Sequence, residues 1–167
     1  LPAGRLRLNR GQTVVCPQIF QFTGAPQACL WQCTLTSPNA VDFIGAQPGT
    51  LAAGQSKHVT IPSKWVGRVF NKVAKCGAKG ENCTVTEFNL DSGDFYTPQS
   101  YDISNIQGFT QSIQIKSAGC ETVTCKQQSC PCKQAYPVGD ISGCGNDSPV
   151  RGCGAGDKTF TVTFCPA

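Results

Sequence analysis

The sequence has no methionine, a single histidine, two tryptophans and no run of about 18 apolar residues in its 167 positions. Without such a run it predicts no membrane-spanning segment. A Ser–His–Asp catalytic triad could use only His58, since it is the one histidine of the sequence. No Gly-x-Ser-x-Gly motif accompanies it, which argues against a serine hydrolase of this type. A net charge of +4 is too small to indicate nucleic-acid binding.

Cysteine, in contrast, is abundant. Seven of the twelve cysteines follow Ser117, and the chain is rich in glycine and proline. An even number of cysteines in a short chain of this kind indicates disulfide bonds and an oxidising compartment. We therefore expect a secreted protein of the extracellular space, apoplast or cell wall. The start at Leu1 without a signal-peptide pattern predicts a mature product, and the Asn82-Cys83-Thr84 sequon agrees with secretion.

Zinc binding is the alternative explanation for clustered cysteines. Cys29 and Cys33 have the spacing of a zinc knuckle, but the later spacings are irregular and His58 is the only histidine. The sequence also has no phosphate-binding loop. We therefore predict no metal and no cofactor.

Short alternating segments predict an all-β protein with little helix. Apolar and polar residues alternate over 57–61, 65–72, 112–115 and 160–164, with turn residues between them. Residues 120–156 have little hydrophobic pattern. We predict one domain, 1–167, with a β-sandwich in 1–118 and 157–167 and a reduced cysteine-rich excursion at 119–156.

The charges are divided along the chain. Residues 57–79 contain six Lys or Arg and no acid, whereas residues 80–115 contain five acids and no base. This pattern predicts a surface with one basic and one acidic face, although ordinary solvated loops would give the same pattern.

Four segments resemble the thaumatin-like proteins, the pathogenesis-related group five family. They are Gly54-Gln55-Ser56 with Val59-Thr60-Ile61-Pro62, then Trp65-Val66-Gly67-Arg68-Val69-Phe70, then Glu87-Phe88-Asn89-Leu90 with Tyr101-Asp102-Ile103-Ser104-Asn105-Ile106-Gln107-Gly108-Phe109, and the closing Thr161-Val162-Thr163-Phe164-Cys165-Pro166. The match covers roughly 50–125 and the last ten residues, and the short cysteine-rich part resembles the small, truncated members.

The resemblance implies a flattened antiparallel β-sandwich with disulfide-stapled loops. It also implies six disulfide pairs, while the sequence alone leaves thousands of pairings open. The implied pairs are Cys76–Cys83, Cys16–Cys165, Cys132–Cys144, Cys120–Cys153, Cys29–Cys33 and Cys125–Cys130.

The resemblance further implies a cleft lined in larger members by one Arg, one Glu and three Asp. Arg68, Glu87 and Asp102 match the first three of these positions. Gln107 replaces the second aspartate, and the third has only Asp140 and Asp147 as weak matches. In the acidic segment, Tyr96 and Tyr101 are the candidate aromatic contacts for a sugar.

Three functions remain open from the sequence. The first is a monomeric protein that binds cell-wall β-1,3-glucan or another cell-wall polysaccharide in defence, antifungal action or host–microbe interaction. The second is a weak endo-β-1,3-glucanase with Glu87 and Asp102 as its carboxyl pair. Arg68 beside both carboxyls is expected to favour their ionised forms, which suits binding and opposes a general-acid role. The third is an effector or inhibitor that binds a secreted protein through the basic segment 57–79. Apart from these functions, Arg68, Glu87 and Asp102 could form a purely structural network.

Overall fold

The computed structural model contains two β-sheets. It describes residues 12–15, 31–36, 49–51, 54, 56, 58–61, 64–90, 98–142, 144–145, 148–156 and 158–166. The eleven strands are β1 (Gln12–Val15), β2 (Trp31–Thr36), β3 (Gly49–Leu51), β4 (His58–Thr60), β5 (Val66–Asn71), β6 (Val85–Leu90), β7 (Gln99–Ser104), β8 (Ile113–Ser117), β9 (Val123–Cys125), β10 (Arg151–Cys153) and β11 (Lys158–Phe164). The described residues contain no helix, as the sequence predicted.

The strands form a five-stranded sheet in the order β4-β1-β11-β8-β9 and a six-stranded sheet in the order β10-β7-β6-β5-β2-β3. All described pairs are antiparallel except β1 with β11, which are parallel from Gln12 opposite Lys158 to Val15 opposite Thr161. The predicted antiparallel β-sandwich is therefore confirmed, with one parallel pair that joins the first strand to the last.

The core lies between the two sheets. Phe160 of β11 packs edge-on against Phe88 of β6 and Tyr101 of β7, with ring centroids 5.4 Å and 5.3 Å apart. All three rings are almost completely buried. Edge-to-face contacts of this kind stabilise a core beyond the area that they bury. They join the last strand of one sheet to the central strands of the other.

The predicted cysteine-rich excursion at 119–156 contributes to both sheets. β9 extends the five-stranded sheet beside β8, and β10 extends the six-stranded sheet beside β7. The segment is thus less separate from the sandwich than its composition suggested. Polar contacts of Glu121 anchor it, because Arg151 forms an ion pair with Glu121 at 2.8 Å and Tyr101 donates its hydroxyl to the Glu121 carbonyl.

Disulfides close the loops. The structure bonds Cys76 to Cys83, Cys120 to Cys153, Cys125 to Cys130 and Cys132 to Cys144, which are four of the pairs implied by the family resemblance. Bonds that close loops restrict the unfolded chain and are typically worth about 2–4 kcal/mol each.

The structure does not contain the implied Cys16–Cys165 bond, and it does not describe the implied Cys29–Cys33 pair. Cys165 carries a free thiol, so the expected bond from Cys16 to Cys165 is not formed. Cys165 directly follows the last residue of β11 and has φ +51°, so the chain leaves the strand conformation at this residue. Cys16 itself, Cys29 and the side chain of Cys33 lie outside the described residues, so Cys29–Cys33 stays a prediction.

Replacing Phe160 with alanine tests the packing of the two sheets. We expect Phe160→Ala to lower the free energy of unfolding by about 3–5 kcal/mol, because it removes a buried ring and leaves a cavity. The exposed neighbour Thr159 gives a control, and Thr159→Ala should change the free energy by no more than about 0.5 kcal/mol. Urea unfolding measures the free energy of unfolding of each variant. Equal free energies for Phe160→Ala and Thr159→Ala would contradict the described core.

Candidate functional site

Three neighbouring strands bring the predicted charged residues side by side. In the antiparallel register Arg68 of β5 lies opposite Glu87 of β6, and Glu87 lies opposite Asp102 of β7. Successive side chains of a strand point to opposite faces. Tyr101 and Phe88 point into the sandwich, so the three charged side chains lie on the outer face of the six-stranded sheet. The register therefore confirms the expectation that Arg68, Glu87 and Asp102 are neighbours.

Arg68 and Glu87 form the central contact of the site. The Arg68 Nε atom donates to Glu87 Oε1 at 2.8 Å, and both side chains are about 30% exposed. Arg68 also donates from Nη1 to the Lys79 carbonyl at 3.2 Å. A hydrogen bond between charged partners is stronger than one between neutral groups. The two acceptors, one on Glu87 and one on Lys79, together hold the planar guanidinium in one orientation. The ion pair is thus held in place yet accessible to a ligand.

A cavity of about 200 Å³ opens beside this ion pair. Its polar lining comes from three strands and from the chain after β7. The lining residues are Arg68, Gly80, Cys83, Val85, Glu87, Ser104, Ile106 and Gln107. Gln107, which replaces the second aspartate of the family pattern, is exposed and belongs to this lining. The cavity therefore combines one cation, one anion and neutral polar groups with apolar contacts.

The loop between β5 and β6 forms one wall of the cavity. The Cys76–Cys83 disulfide closes it, and Gly80 reaches over the outer face of the sheet. Gly80 has φ +85°, and a Cβ there would lie 2.6 Å from Val85 Cγ1 and 3.2 Å from Phe70 Cδ1. Only glycine suits both this backbone conformation and this close approach. Any side chain at position 80 would push the wall away from the sheet.

The chain after β7 forms the opposite wall and is hydrogen-bonded to the first. Thr110 N donates to Thr84 Oγ1 at 2.9 Å, and Thr84 N donates to Thr110 Oγ1 at 3.1 Å. Next to them Gly108, with φ +151°, approaches the Asn82 backbone so closely that a Cβ would lie 2.8 Å from its carbonyl oxygen. The two walls are therefore joined on the side of Cys83 and Gln107.

Asp102 lies next to Glu87 but does not line the cavity. Its Oδ1 atom is buried and accepts no hydrogen bond from a described residue. Burial raises the pKa of this carboxyl well above its usual range, the nearby Glu87 carboxylate raises it further, and Arg68 acts in the opposite direction. Arg68 thus favours the ionised form of Asp102, as expected, but the cost of burying the charge has the larger effect on its pKa.

Tyr136 borders Asp102 and was missed by the sequence analysis. Its backbone is held to the end of β7, since Tyr136 N donates to the Ile103 carbonyl at 2.9 Å and Asn105 N donates to the Tyr136 carbonyl at 3.0 Å. Burial and the nearby Asp102 raise the pKa of the Tyr136 hydroxyl, while a hydrogen bond with Ser148 lowers it. No local motif marks this tyrosine, which comes from the patternless segment between β9 and β10.

The other predicted site residues lie elsewhere. Tyr101 is 1% exposed and faces the core, so its prediction as a sugar contact is wrong. Its neighbour Asp102 faces outward, and alternation along β7 places Tyr101 on the opposite face. Asp140 is away from the cavity and accepts hydrogen bonds from Ser142, which lower its pKa. Tyr96 and Asp147 lie outside the described residues.

One group of possible metal ligands occurs in the described part of the chain. Cys132, Asp140 and Cys144 have ligand atoms within 4.8 Å of one another. The two sulfurs are bonded to each other as a disulfide and so offer no thiolate. This group is therefore explained by the Cys132–Cys144 bond.

Comparisons with known proteins agree with this fold. "Pathogenesis-related protein 1A/1B" of Hordeum vulgare is 32% identical over 92 residues, which cover 54% of this chain and 48% of that protein. "Thaumatin-like protein PWIR2" of Triticum aestivum is 31% identical over 83 residues, covering 50% of this chain and 43% of that protein. "Pathogenesis-related thaumatin-like protein 3.5" of Cryptomeria japonica is 25% identical over 183 aligned positions, covering 89% and 74%. The chain thus spans about half the length of the barley and wheat relatives.

A solved structure matches the fold along nearly its whole length. The thaumatin-like xylanase inhibitor TLXI superposes with a TM-score of 0.52 over 93% of this chain and 99% of its own, at 14% identity. At that identity the likeness concerns the fold alone. No protein-family model matches the chain.

The two sheets and the disulfide-bonded loops agree with the thaumatin-like fold of that structure. The chain is similar in sequence to thaumatin-like and pathogenesis-related proteins, and it shares the fold of a thaumatin-like protein. Several of these relatives are named as pathogenesis-related proteins. No helix in the described residues is long and apolar enough to cross a membrane.

The buried carboxyl of Asp102 should make stability depend on pH. Because its folded pKa is raised, the folded state holds a proton that the unfolded chain releases above about pH 4. Stability should then fall as the pH rises from about 4 towards the raised pKa, with a slope of up to about 1.4 kcal/mol per pH unit. Asp102→Asn should remove this loss, so its advantage over the parent protein should grow with pH in urea unfolding.

Asp140 provides the matched control with the opposite sign. Its pKa is lowered, so ionisation of Asp140 stabilises the folded parent protein as the pH rises through the ordinary range of aspartate titration. Asp140→Asn lacks this gain, so its free energy of unfolding should fall behind that of the parent protein over this range, and the difference should then stay constant at higher pH. A constant difference between Asp102→Asn and the parent protein from pH 4 to pH 8 would contradict the buried carboxyl.

Proposed function

We propose that the protein is a secreted, defence-related protein that binds β-1,3-glucan of cell walls in the cavity beside Arg68 and Glu87. The accessible ion pair at 2.8 Å is the observation that carries this proposal. Its guanidinium offers donors to sugar hydroxyls, and its carboxylate offers acceptors. The positions are those that match the family's cleft, where some members bind this polymer.

Electrostatics favour a neutral ligand. Arg68 and Glu87 compensate each other, and Gln107 adds polarity without the negative charge that the family pattern has at this position. A buried, uncompensated charge is costly, so a charged ligand would have to disrupt the pair in order to find a partner. A polyol can instead exchange its bonds to water for bonds to both members of the pair.

We further propose binding without hydrolysis. Glycoside hydrolysis by two carboxyl groups requires both of them at the scissile bond. The raised pKa of Asp102 would suit a general acid, but of the two carboxyl residues only Glu87 lines the cavity, and the Oδ1 atom of Asp102 is buried. The geometry therefore favours a carbohydrate-binding protein over an endo-glucanase.

A protein-binding role is the second candidate. Lys72, Lys75 and Lys79 are exposed on the loop that forms one cavity wall, and none forms an ion pair with a described residue. The structural neighbour TLXI is itself named as a xylanase inhibitor. Such a role would show as partner binding that weakens with salt and does not depend on glucan.

Two isosteric variants test glucan binding. Glu87→Gln removes the charge of the cavity's ion pair with little change in shape, and we expect at least a tenfold loss of affinity, since hydrogen bonds to charged groups are worth about 1.5–3 kcal/mol. Glu121→Gln is the matched control, because Glu121 also pairs with an arginine at 2.8 Å but does not line the cavity.

Co-sedimentation with insoluble β-1,3-glucan measures the affinity, with cellulose and chitin as comparison polymers. The proposal expects selective pelleting of the parent protein and of Glu121→Gln, and no release of reducing ends from soluble β-1,3-glucan. Unchanged pelleting of Glu87→Gln would contradict the proposed site. Reducing ends that appear with the parent protein and vanish with Glu87→Gln would establish the glucanase instead.

A further inference from the structure

We propose that the cavity binds the terminal sugar ring of a neutral polysaccharide and does not bind an internal stretch of the chain. This inference rests on the proposed function and adds which part of the polymer is recognised. Four features of the described residues support it: the size of the cavity, its closed side, its compensated charge and its lack of an aromatic lining.

Size limits the ligand first. The cavity measures about 200 Å³. Pockets that enclose drug-sized ligands span roughly 300–1,000 Å³. A space below that range accommodates a group of about one sugar ring and leaves no room for several consecutive units.

The joined walls limit how a chain can lie. Thr84 and Thr110 exchange two hydrogen bonds, at 2.9 Å and 3.1 Å, and Gly108 contacts the Asn82 backbone beside them. These bonds connect the loop before β6 to the segment after β7 next to the lining residues Cys83 and Gln107. A polymer that enters between the walls cannot continue past this junction. A chain end can enter where an internal stretch cannot.

The closed side is also rigid. The Cys76–Cys83 disulfide closes the first wall, and Gly108 N donates to the Asn105 carbonyl at 2.9 Å in the second. Opening the junction would require the loss of the two threonine hydrogen bonds together with a shift of the glycine that packs on Asn82. A preformed pocket binds with a smaller loss of conformational entropy than one that must open first.

The lining matches one ring of a neutral sugar. Arg68, Glu87, Ser104 and Gln107 offer donors and acceptors to hydroxyl groups, and Val85 and Ile106 offer apolar contact to the carbon–hydrogen face. No aromatic ring of the described residues lines the cavity, and Phe88 and Tyr101 are buried in the core. The described lining of the cavity therefore offers no flat ring on which successive sugar units could stack.

Periodate oxidation separates the two modes of binding. In an unbranched 1,3-linked glucan only the terminal units carry adjacent free hydroxyls, so brief periodate treatment followed by borohydride reduction opens the terminal rings and leaves the internal ones intact. We expect the parent protein to bind native linear β-1,3-glucan and to lose at least tenfold in affinity for the treated polymer. Size-exclusion chromatography of the polymer checks that its length is unchanged, and calorimetry measures the affinity.

Two tryptophan variants link the result to the cavity. Ile106→Trp fills the lining and should abolish binding of native glucan, whereas Ile141→Trp, at an 87% exposed position outside the cavity, should leave it unchanged. Circular dichroism confirms that both variants fold, and Glu87→Gln gives a milder alternative if Ile106→Trp does not.

The outcomes distinguish the two proposals. Equal affinity for native and treated glucan, with Glu87→Gln still impaired, would overturn terminal recognition and leave glucan binding intact. Failure to bind either polymer would overturn the proposed function, and terminal recognition with it. Binding that is lost with the treated polymer and with Ile106→Trp supports both.

Discussion

The register of β5, β6 and β7 is the constraint on which the site depends. It places Arg68 opposite Glu87 and Glu87 opposite Asp102 on three adjacent strands. A slip of one residue in either pairing would turn a charged side chain into the sandwich and a core residue such as Phe88 out of it. The edge-on packing of Phe160 against Phe88 and Tyr101 opposes that slip. The core therefore also aligns the charges on the outer face.

The same alignment gives neighbouring carboxyls different environments. Glu87 reaches the cavity and its cationic partner, whereas Asp102 is enclosed beside Tyr136 by the segment between β9 and β10. A burial cost that exceeds the attraction of Arg68 keeps a proton on Asp102 beyond the usual pH range of an aspartate. At the cavity itself, Arg68 and Glu87 form an ion pair of opposite charges. This compensation is why we expect a sugar and not an ion as the ligand.

Much of the fold follows from the sequence, and the reasons for the exceptions are physical. The alternating segments became β4, β5, β8 and β11, and in β5, β8 and β11 one face is more exposed than the other. β6 and β7 are buried on almost every position, so their sequences show no clear alternation and only the family resemblance marked them. β9 and β10 are three residues each, too short for any periodic signal.

The candidate site could be predicted only for residues that lie in segments matching a family motif. The resemblance supplied Arg68, Glu87, Asp102 and Gln107, and three of these line the cavity. Tyr101 was assigned to the sugar because it lies in the acidic segment, although alternation from Asp102 already indicated the core. Tyr136 comes from a distant segment and could not be predicted locally, since only the folded chain brings it to Asp102.

The most direct test of the central claim is an NMR titration of the isotopically labelled protein with a short β-1,3-linked glucose oligomer. Binding at the cavity predicts that the Arg68 Nε–H signal and the backbone amides of 80–85 and 104–107 shift together and saturate at one ligand per protein. The signals of Glu121 and Arg151, which form the second ion pair, should stay in place. Shifts confined to that second pair or to the exposed lysines, with the Arg68 signal unchanged, would contradict the account.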